Sequence, residues 1–308
     1  METTTFNPSS RTDAARRPDA PIRVENLSKI YRQKSGVLHA VDNLNLSVRA
    51  GETYALLGPN GAGKSTTIEI LEGHRKPTSG KVTVLETAPY KAHPSFRARI
   101  GIVLQEATDS GELRVAEALH ALASYYPNPR PVDELISAVG LEGKESQRIS
   151  TLSGGQRRRV DVALGLVGNP ELLFLDEPTT GFDPDARRTF WELIRSLRAD
   201  GTTIVLTTHY LDEAEQLADR LGVITHGQLV AEGTPGTLGG AALRTPRVSW
   251  ADNAGHHEES TDRPAELVNR LSAGGTEEPL HLQVRVPSLE DIYLELLRQH
   301  DLNGEEAS

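Results

Sequence analysis

From Ile22 to about Gly233 short apolar runs alternate with stretches of helical periodicity, the pattern of an α/β domain built on a largely parallel sheet. The expected strands are Thr53 to Leu57, Ile100 to Leu104, Leu172 to Leu175, Thr203 to Thr207 and Leu221 to Thr225. Ahead of them Leu44, Leu46 and Val48 alternate with polar residues, as a half-exposed antiparallel strand does, so a mixed fold follows. Between Glu112 and Leu152 the sequence is rich in Ala, Leu and Glu without a strong strand pattern, which predicts a helical insertion.

After Gly233 the pattern changes. Gly239-Gly240 and the polar stretch Ala251 to Arg263 read as loop. Leu280, Leu282, Val284 and Val286 then alternate with His281, Gln283 and Arg285, which predicts a strand ended by Pro287. Ser288 and Asp291 form a capping box for a helix whose apolar face is Leu289, Ile292, Leu296 and Leu297. The expected organisation is a mobile tail over residues 1–20, a main domain over 21–235 and a small α+β appendage over 236–308. His256-His257-Glu258-Glu259 lacks helical ligand spacing and reads as a solvated loop, with no metal assigned to it.

Composition narrows the function. At 308 residues and 37% hydrophobic content the chain reads as globular with a core, and its formal charge of −10 argues against a general nucleic-acid binder. The absence of cysteine excludes disulfides and thiolate metal sites and suits a reducing cytoplasm. The longest uncharged apolar stretch, Val162 to Gly168, is far short of the roughly 20 residues that span a bilayer, and the first twenty residues lack the apolar core of a secretory signal.

The chemistry begins where the strand Thr53 to Leu57 ends. Gly58-Pro59-Asn60-Gly61-Ala62-Gly63-Lys64-Ser65-Thr66 has the glycine spacing of a phosphate-binding loop, and it leads into a helical run. Backbone N–H groups of such a loop cradle phosphate oxygens at a helix N-terminus; Lys64 reaches the β/γ-phosphates and the Ser65 hydroxyl can ligate Mg²⁺. A second element, Leu172 to Pro178, delivers Asp176 and Glu177 at the C-terminal end of a buried strand, the edge at which open α/β sheets bind ligands. Asp176 suits Mg²⁺ and Glu177 suits polarisation of an attacking water.

A third element separates this chain from other phosphate-loop proteins. Leu152-Ser153-Gly154-Gly155-Gln156 precedes a helix, with Ser153 as N-cap and Gly154 and Gly155 leaving N–H groups open to an anion. This pentapeptide resembles the signature motif of ATP-binding cassette (ABC) proteins. The resemblance implies a phosphate-loop NTPase fold with a mixed central sheet, an antiparallel β subdomain and a helical signature subdomain. It also implies a homodimer in which ATP lies between the phosphate loop of one subunit and Ser153 to Gln156 of the other.

Other positions match family landmarks. Tyr31 stands where an aromatic ring stacks on adenine, and Gln105 where a glutamine contacts Mg²⁺ and water. Asp183, in Gly181-Phe182-Asp183-Pro184, matches the loop that couples the two ATP sites, with Phe182 replacing the usual leucine; it also suits a helix N-cap. His209 matches the switch histidine that contacts the γ-phosphate. The implied catalytic set is Glu177, His209, Gln105 and Lys64, with Ser65, Gln105 and Asp176 toward Mg²⁺. Ser288 to Leu294 and the run Gln156-Arg157-Arg158-Arg159 resemble drug-resistance and daunorubicin-type exporters, although the arginines also read as a solvated helix face.

The expectation is an ATPase of an exporter, possessing no membrane span of its own. It would sit on the cytoplasmic face of the membrane through a separate permease subunit, and drive drug or lipid efflux. The appendage is expected to stabilise the dimer or regulate it. The alternatives are a cassette ATPase acting on ribosomes or DNA, for which coiled coils, paired cassettes or zinc cysteines are missing, and a regulatory switch.

Overall fold

The computed structural model describes residues 19–34, 36–104, 112–252, 255–272 and 279–306. Gln105 and almost all of the expected N-terminal tail lie outside them. The chain divides into two compact units, Met1–Leu229 and Val230–Ser308.

The first unit contains two sheets. Strands β1 (Ile22–Gln33), β2 (Gly36–Val48) and β4 (Ser79–Val84) form an antiparallel sheet in the order β2-β1-β4. The inward positions of β2, namely Val41, Leu44, Leu46 and Val48, are buried while their neighbours face out. That is the alternation a sheet covered on one face requires. The second sheet has the order β5-β6-β7-β3-β8-β9. It is built from β3 (Thr53–Leu57), β5 (Ile100–Val103), β6 (Leu172–Asp176), β7 (Thr203–Thr208), β8 (Arg220–Thr225) and β9 (Gln228–Gly233), of which Gln228 and Leu229 belong to this unit.

Strand β3 lies between β7 and β8, parallel to both, and all five of its residues are buried. A strand covered on both faces needs an unbroken apolar run, which is why Thr53 to Leu57 is legible without any alternation. Strands β8 and β9 are joined by His226 and Gly227, both at positive φ (48° and 79°), the geometry of a two-residue hairpin turn. Helices α1 (Lys64–Glu72) and α2 (Pro94–Arg97) follow β3 and β4. The expected insertion holds α3 (Val115–Ala123) and α4 (Val132–Ala138), ahead of α5 (Gly154–Leu166). Helices α6 (Pro184–Ala199) and α7 (Leu211–Leu217) follow β6 and β7. One apolar cluster joins both sheets and α1 through Ile22, Leu44, Leu56, Ile70, Leu71 and Phe174.

The second unit has α8 (Gly240–Leu243), β10 (Arg247–Asp252), β11 (Gly255–Ser260), α9 (Pro264–Leu271), β12 (Leu280–Arg285) and α10 (Leu289–Glu306). Its antiparallel sheet runs β11-β10-β12, and Val248, Leu267, Leu289 and Ile292 are buried. Ser288 caps α10 as expected, its hydroxyl accepting from Asp291 N at 3.2 Å while its own N–H donates to Asp291 Oδ2 at 2.8 Å. The Ser288 hydroxyl donates to Asp291 Oδ2 at 2.7 Å, and this bond first, then that from Ser288 N and the one from Arg285, hold the Asp291 carboxyl down at about 2. The loop expected over Ala251 to Arg263 is instead largely strand: β10 and β11 pair from Arg247↔Ser260 to Asp252↔Gly255. Strand β11 lies at an edge and is mostly exposed on both faces, so it needs no apolar alternation, and its polar sequence hid it.

Candidate active site

The loop after β3 is shaped by close backbone approach. A Cβ on Gly58 would meet Ile224 O at 2.2 Å, and Gly63, at φ +106°, would bring one to 2.3 Å from Ala40 O. The β8–β9 turn buttresses the loop from below: Gly227 N donates to Ala62 O at 2.9 Å, and Ala62 itself is 3% exposed. Thr67 Oγ1 donates to Gly63 O at 2.8 Å, fixing the first turn of α1. Lys64 folds back over the loop, its Nζ donating to Gly58 O at 2.8 Å and Pro59 O at 3.1 Å. Burial pulls the Lys64 pKa down, and the Glu177 and Asp176 carboxylates oppose that shift.

Strand β6 brings in the acids. Thr207 on the adjacent β7 donates its hydroxyl to Asp176 Oδ1. The same residue receives the next backbone group, Glu177 N donating to Thr207 O and Oγ1, each at 3.1 Å. Glu177 is held at φ +43°, a conformation uncommon outside glycine. A strained backbone that its neighbours over-determine is a feature of functional sites. Its carboxylate Oε1 lies 3.3 Å from Nδ1 of His209, which follows β7.

Lys64, Glu177 and His209 share a cleft of about 670 Å³ with Tyr31, Leu38, Ala40, Asn60, Gly61, Gly63, Ser65 and Thr66, while Asp176 does not line it. The Tyr31 ring has Lys29 Nζ 5.1 Å and Arg75 5.4 Å from its centroid. Ser153 and Gly154 are exposed and, like Gly155, Gln156 and Asp183, do not line it. Ser153 and Gln156 form a reciprocal capping box at the start of α5, with bonds of 3.2 and 3.1 Å. Asp183 caps α6, its Oδ1 accepting from Ala186 N at 2.8 Å.

One residue that belongs to the site is not singled out by the sequence. Arg158, in the arginine run that resembles exporter subunits and reads equally as a solvated helix face, is 7% exposed. Its guanidinium donates to Pro178 O at 2.9 Å, to Asp176 O at 3.0 Å and to Leu104 O. It thereby ties α5 to the ends of β5 and β6, and burial lowers its pKa. The signal was weak because Arg157 and Arg159 flank it with the same chemistry on different faces.

The donor set fits Mg²⁺ held with a nucleotide. A serine hydroxyl and a carboxylate are hard oxygen donors, and Mg²⁺ is usually bound by one or two carboxylates plus substrate phosphates. Among the described residues no group of three or more His, Asp or Glu side chains forms a cage of its own.

Comparison with known proteins fits this geometry. The ABC transporter family model matches residues 41–180. The chain is 45% identical over 227 residues to the Nod factor export ATP-binding protein I of Neorhizobium galegae, spanning 72% of this chain and 64% of that protein. It is 43% identical over 226 residues to the daunorubicin/doxorubicin resistance ATP-binding protein of Streptomyces peucetius, covering 72% of this chain and 67% of the relative. Among solved structures, a dimeric ATP-binding cassette in a post-hydrolysis state with ADP and Pi superposes with a TM-score of 0.62 at 26% identity, over 69% of this chain and 98% of that one. With a phosphate loop, a carboxylate pair and a capped signature helix on the expected sheet, the chain belongs to the ABC transporter family, as one of its ATPase cassettes.

Proposed function

We propose that the chain is the ATP-hydrolysing subunit of an exporter whose membrane-crossing part is a separate polypeptide. The observation that carries this reading is the convergence of Lys64, Glu177 and His209 on one cleft while Ser153 to Gln156 stay outside it. Such an arrangement supplies the phosphate loop of one ATP site and, on another surface, the signature of a second. Two copies joined head to tail would complete both.

In this reading Tyr31 stacks on adenine and Gly58 to Thr66 cradle the phosphates, with Lys64 leaving its loop carbonyls for the β/γ-phosphates. Ser65, Asp176 and Gln105 hold Mg²⁺, which when bound neutralises charge on the transferring phosphoryl group. Glu177 accepts a proton from the attacking water and His209 contacts the γ-phosphate. Ser153, Gly154, Gly155 and Gln156 of one copy close over the ATP of the other, and Asp183 couples the two sites. Closure does work on a membrane partner because ATP binds the closed state better than the open one.

The roles named for the relatives, Nod factor export and daunorubicin/doxorubicin resistance, support export of a small organic or lipid-like molecule. No helix among the described residues is long and apolar enough to cross a membrane, which suits attachment to a cytoplasmic membrane face through the permease. The unit Val230–Ser308 would stabilise or regulate the dimer.

Mixing two inactive variants tests the shared site. Lys64→Ala removes the loop lysine and Ser153→Arg blocks the signature; in a mixed dimer one site carries both lesions and the other carries neither. The expected result is ATPase activity restored on mixing. A mixture as inactive as its components overturns the shared site. Copurification with the permease and vesicle transport of candidate drugs and lipids then tests export.

A further inference from the structure

Five buried polar atoms without a hydrogen-bond partner belong to residues gathered behind the catalytic pair. They are both carboxylate oxygens of Glu213, Thr179 Oγ1, Trp191 Nε1 and Arg187 Nε. Glu213 lies in the first turn of α7 and is wholly buried, as are Thr179 and Thr208. Its carboxyl faces the hydroxyls of Thr208 and Thr179 and the Trp191 indole, with the Arg187 guanidinium nearby. Buried polar groups in native proteins are almost always satisfied, so a cluster of orphans that face one another needs a reason.

The position of these residues supplies one. Thr208 immediately precedes His209, and its hydroxyl accepts from Tyr210 N at 2.9 Å. Thr179 stands two residues after Glu177 in the turn toward Asp183, where its carbonyl accepts from Phe182 N at 3.1 Å. Arg187 and Trp191 lie on α6, the helix that Asp183 caps. Arg187 also pairs with Asp212 at 3.1 Å and lies 4.6 Å from the Tyr210 ring centroid, which in turn is 4.1 Å from that of His209. One carboxyl therefore touches all three segments that carry Glu177, Asp183 and His209.

We propose that Glu213 is a positioning residue for ATP hydrolysis, bridging Thr208 and Thr179 so that His209 and Glu177 are held in register. The inference rests on the assignment of Glu177 and His209 above. Burial raises the Glu213 pKa, so the group suits the role of a neutral acid that donates one hydrogen bond and accepts others. Small rotations of the carboxyl and of the two threonine hydroxyls suffice to close the bridge. A purely structural residue at this buried position would be served better by leucine, which fills similar volume and brings no carboxyl of its own to bury.

The test uses the full chain with Mg-ATP. Glu213→Leu is expected to lower kcat about 10–100-fold with KM and melting temperature essentially unchanged, the signature of a misplaced catalytic group. Glu213→Gln, which keeps an amide donor and acceptor, is expected to restore most of kcat. In a His209→Ala background Glu213→Leu is expected to cost less than it does in the parent, because the part of its effect that acts through His209 is already lost. Should Glu213→Leu fail to fold, Thr179→Val removes the other end of the bridge and is expected to show the same loss of kcat. Normal turnover in Glu213→Leu, or in Thr179→Val where that variant carries the test, overturns the inference, as does a fully additive loss with His209→Ala. Full turnover in His209→Ala alone overturns the active-site reading first, and this inference with it.

Discussion

The Nδ1 atom of His209 stands 3.3 Å from Oε1 of Glu177, across the end of two adjacent parallel strands. The carboxylate is the more enclosed partner, with a side-chain exposure of 12% against 42% for the imidazole. An imidazole donating from Nδ1 aims the Glu177 side chain while leaving the rest of its ring facing the cleft. His209→Ala should therefore slow turnover by about 10²-fold, within the usual range for one acid-base partner. Its ATP affinity should stay near normal, because Lys64 and the loop are untouched. Titration with a fluorescent nucleotide beside steady-state ATPase separates the two effects, and equal losses in both would contradict the assignment.

Glu177→Gln keeps shape and removes the basic group. Turnover should fall by about 10²–10⁴-fold while ATP binding persists. In the proposed head-to-tail dimer hydrolysis releases the closed pair, so the variant should accumulate as an ATP-bound dimer detectable by light scattering. Near-normal turnover would remove Glu177 from the mechanism.

Gly63→Ala tests the loop without touching a charge. The new methyl would meet Ala40 O at 2.3 Å, and a side chain at φ +106° is strained in any case. Either the loop shifts or β2 gives way, and both displace the N–H groups that face phosphate. ATP binding should be lost by isothermal titration while far-ultraviolet circular dichroism stays close to that of the parent. Unaltered affinity would show that the loop tolerates a shape it should not.

Much of this arrangement was readable in advance. Thr53 to Leu57, the glycine loop and Asp176-Glu177 could be placed because a strand covered on both faces and a phosphate cradle each constrain residue type position by position. Strand β11 was missed because an edge strand exposed on both faces carries no periodicity in hydrophobicity. Arg158 was missed for a different reason: its role depends on which way one arginine of three faces, and only the packing of α5 against the ends of β5 and β6 decides that. Glu213 left no mark either, since an isolated glutamate at the start of a helix usually faces water.

Arg158 now yields its own expectation. Replacing it with methionine keeps the aliphatic volume but leaves the carbonyls of Pro178, Asp176 and Leu104 without this donor. Relief of the buried charge offsets part of that loss, so the net cost should be about 2–3 kcal/mol. For a domain of this size that corresponds to a fall of about 4–12 °C in melting temperature. ATPase activity should fall as well, because Asp176 and Pro178 bracket Glu177. An unchanged melting temperature would show that the three bonds contribute nothing net.

Glu72 predicts a dependence of stability on pH. It ends α1 with 5% exposure, and burial, reinforced by the charges of Asp176 and Glu69, raises its pKa from 4.5 to about 8. His74 Nδ1 lies 3.2 Å from the carboxylate, but that ring is 57% exposed, so solvent screens its attraction and desolvation wins. The folded state then holds a proton that the unfolded chain releases near 4.5. The stabilisation from that proton is complete below pH 4.5 and declines steadily as pH rises, until it is gone above about 8. Glu72→Gln removes this titration, so its melting temperature should pull ahead of the parent's progressively from pH 5 to pH 8 and hold a constant lead above that. Parallel curves for the two proteins across that range would mean that Glu72 titrates as an ordinary exposed glutamate, and that the floor beneath the phosphate-loop helix is wetter than its burial indicates.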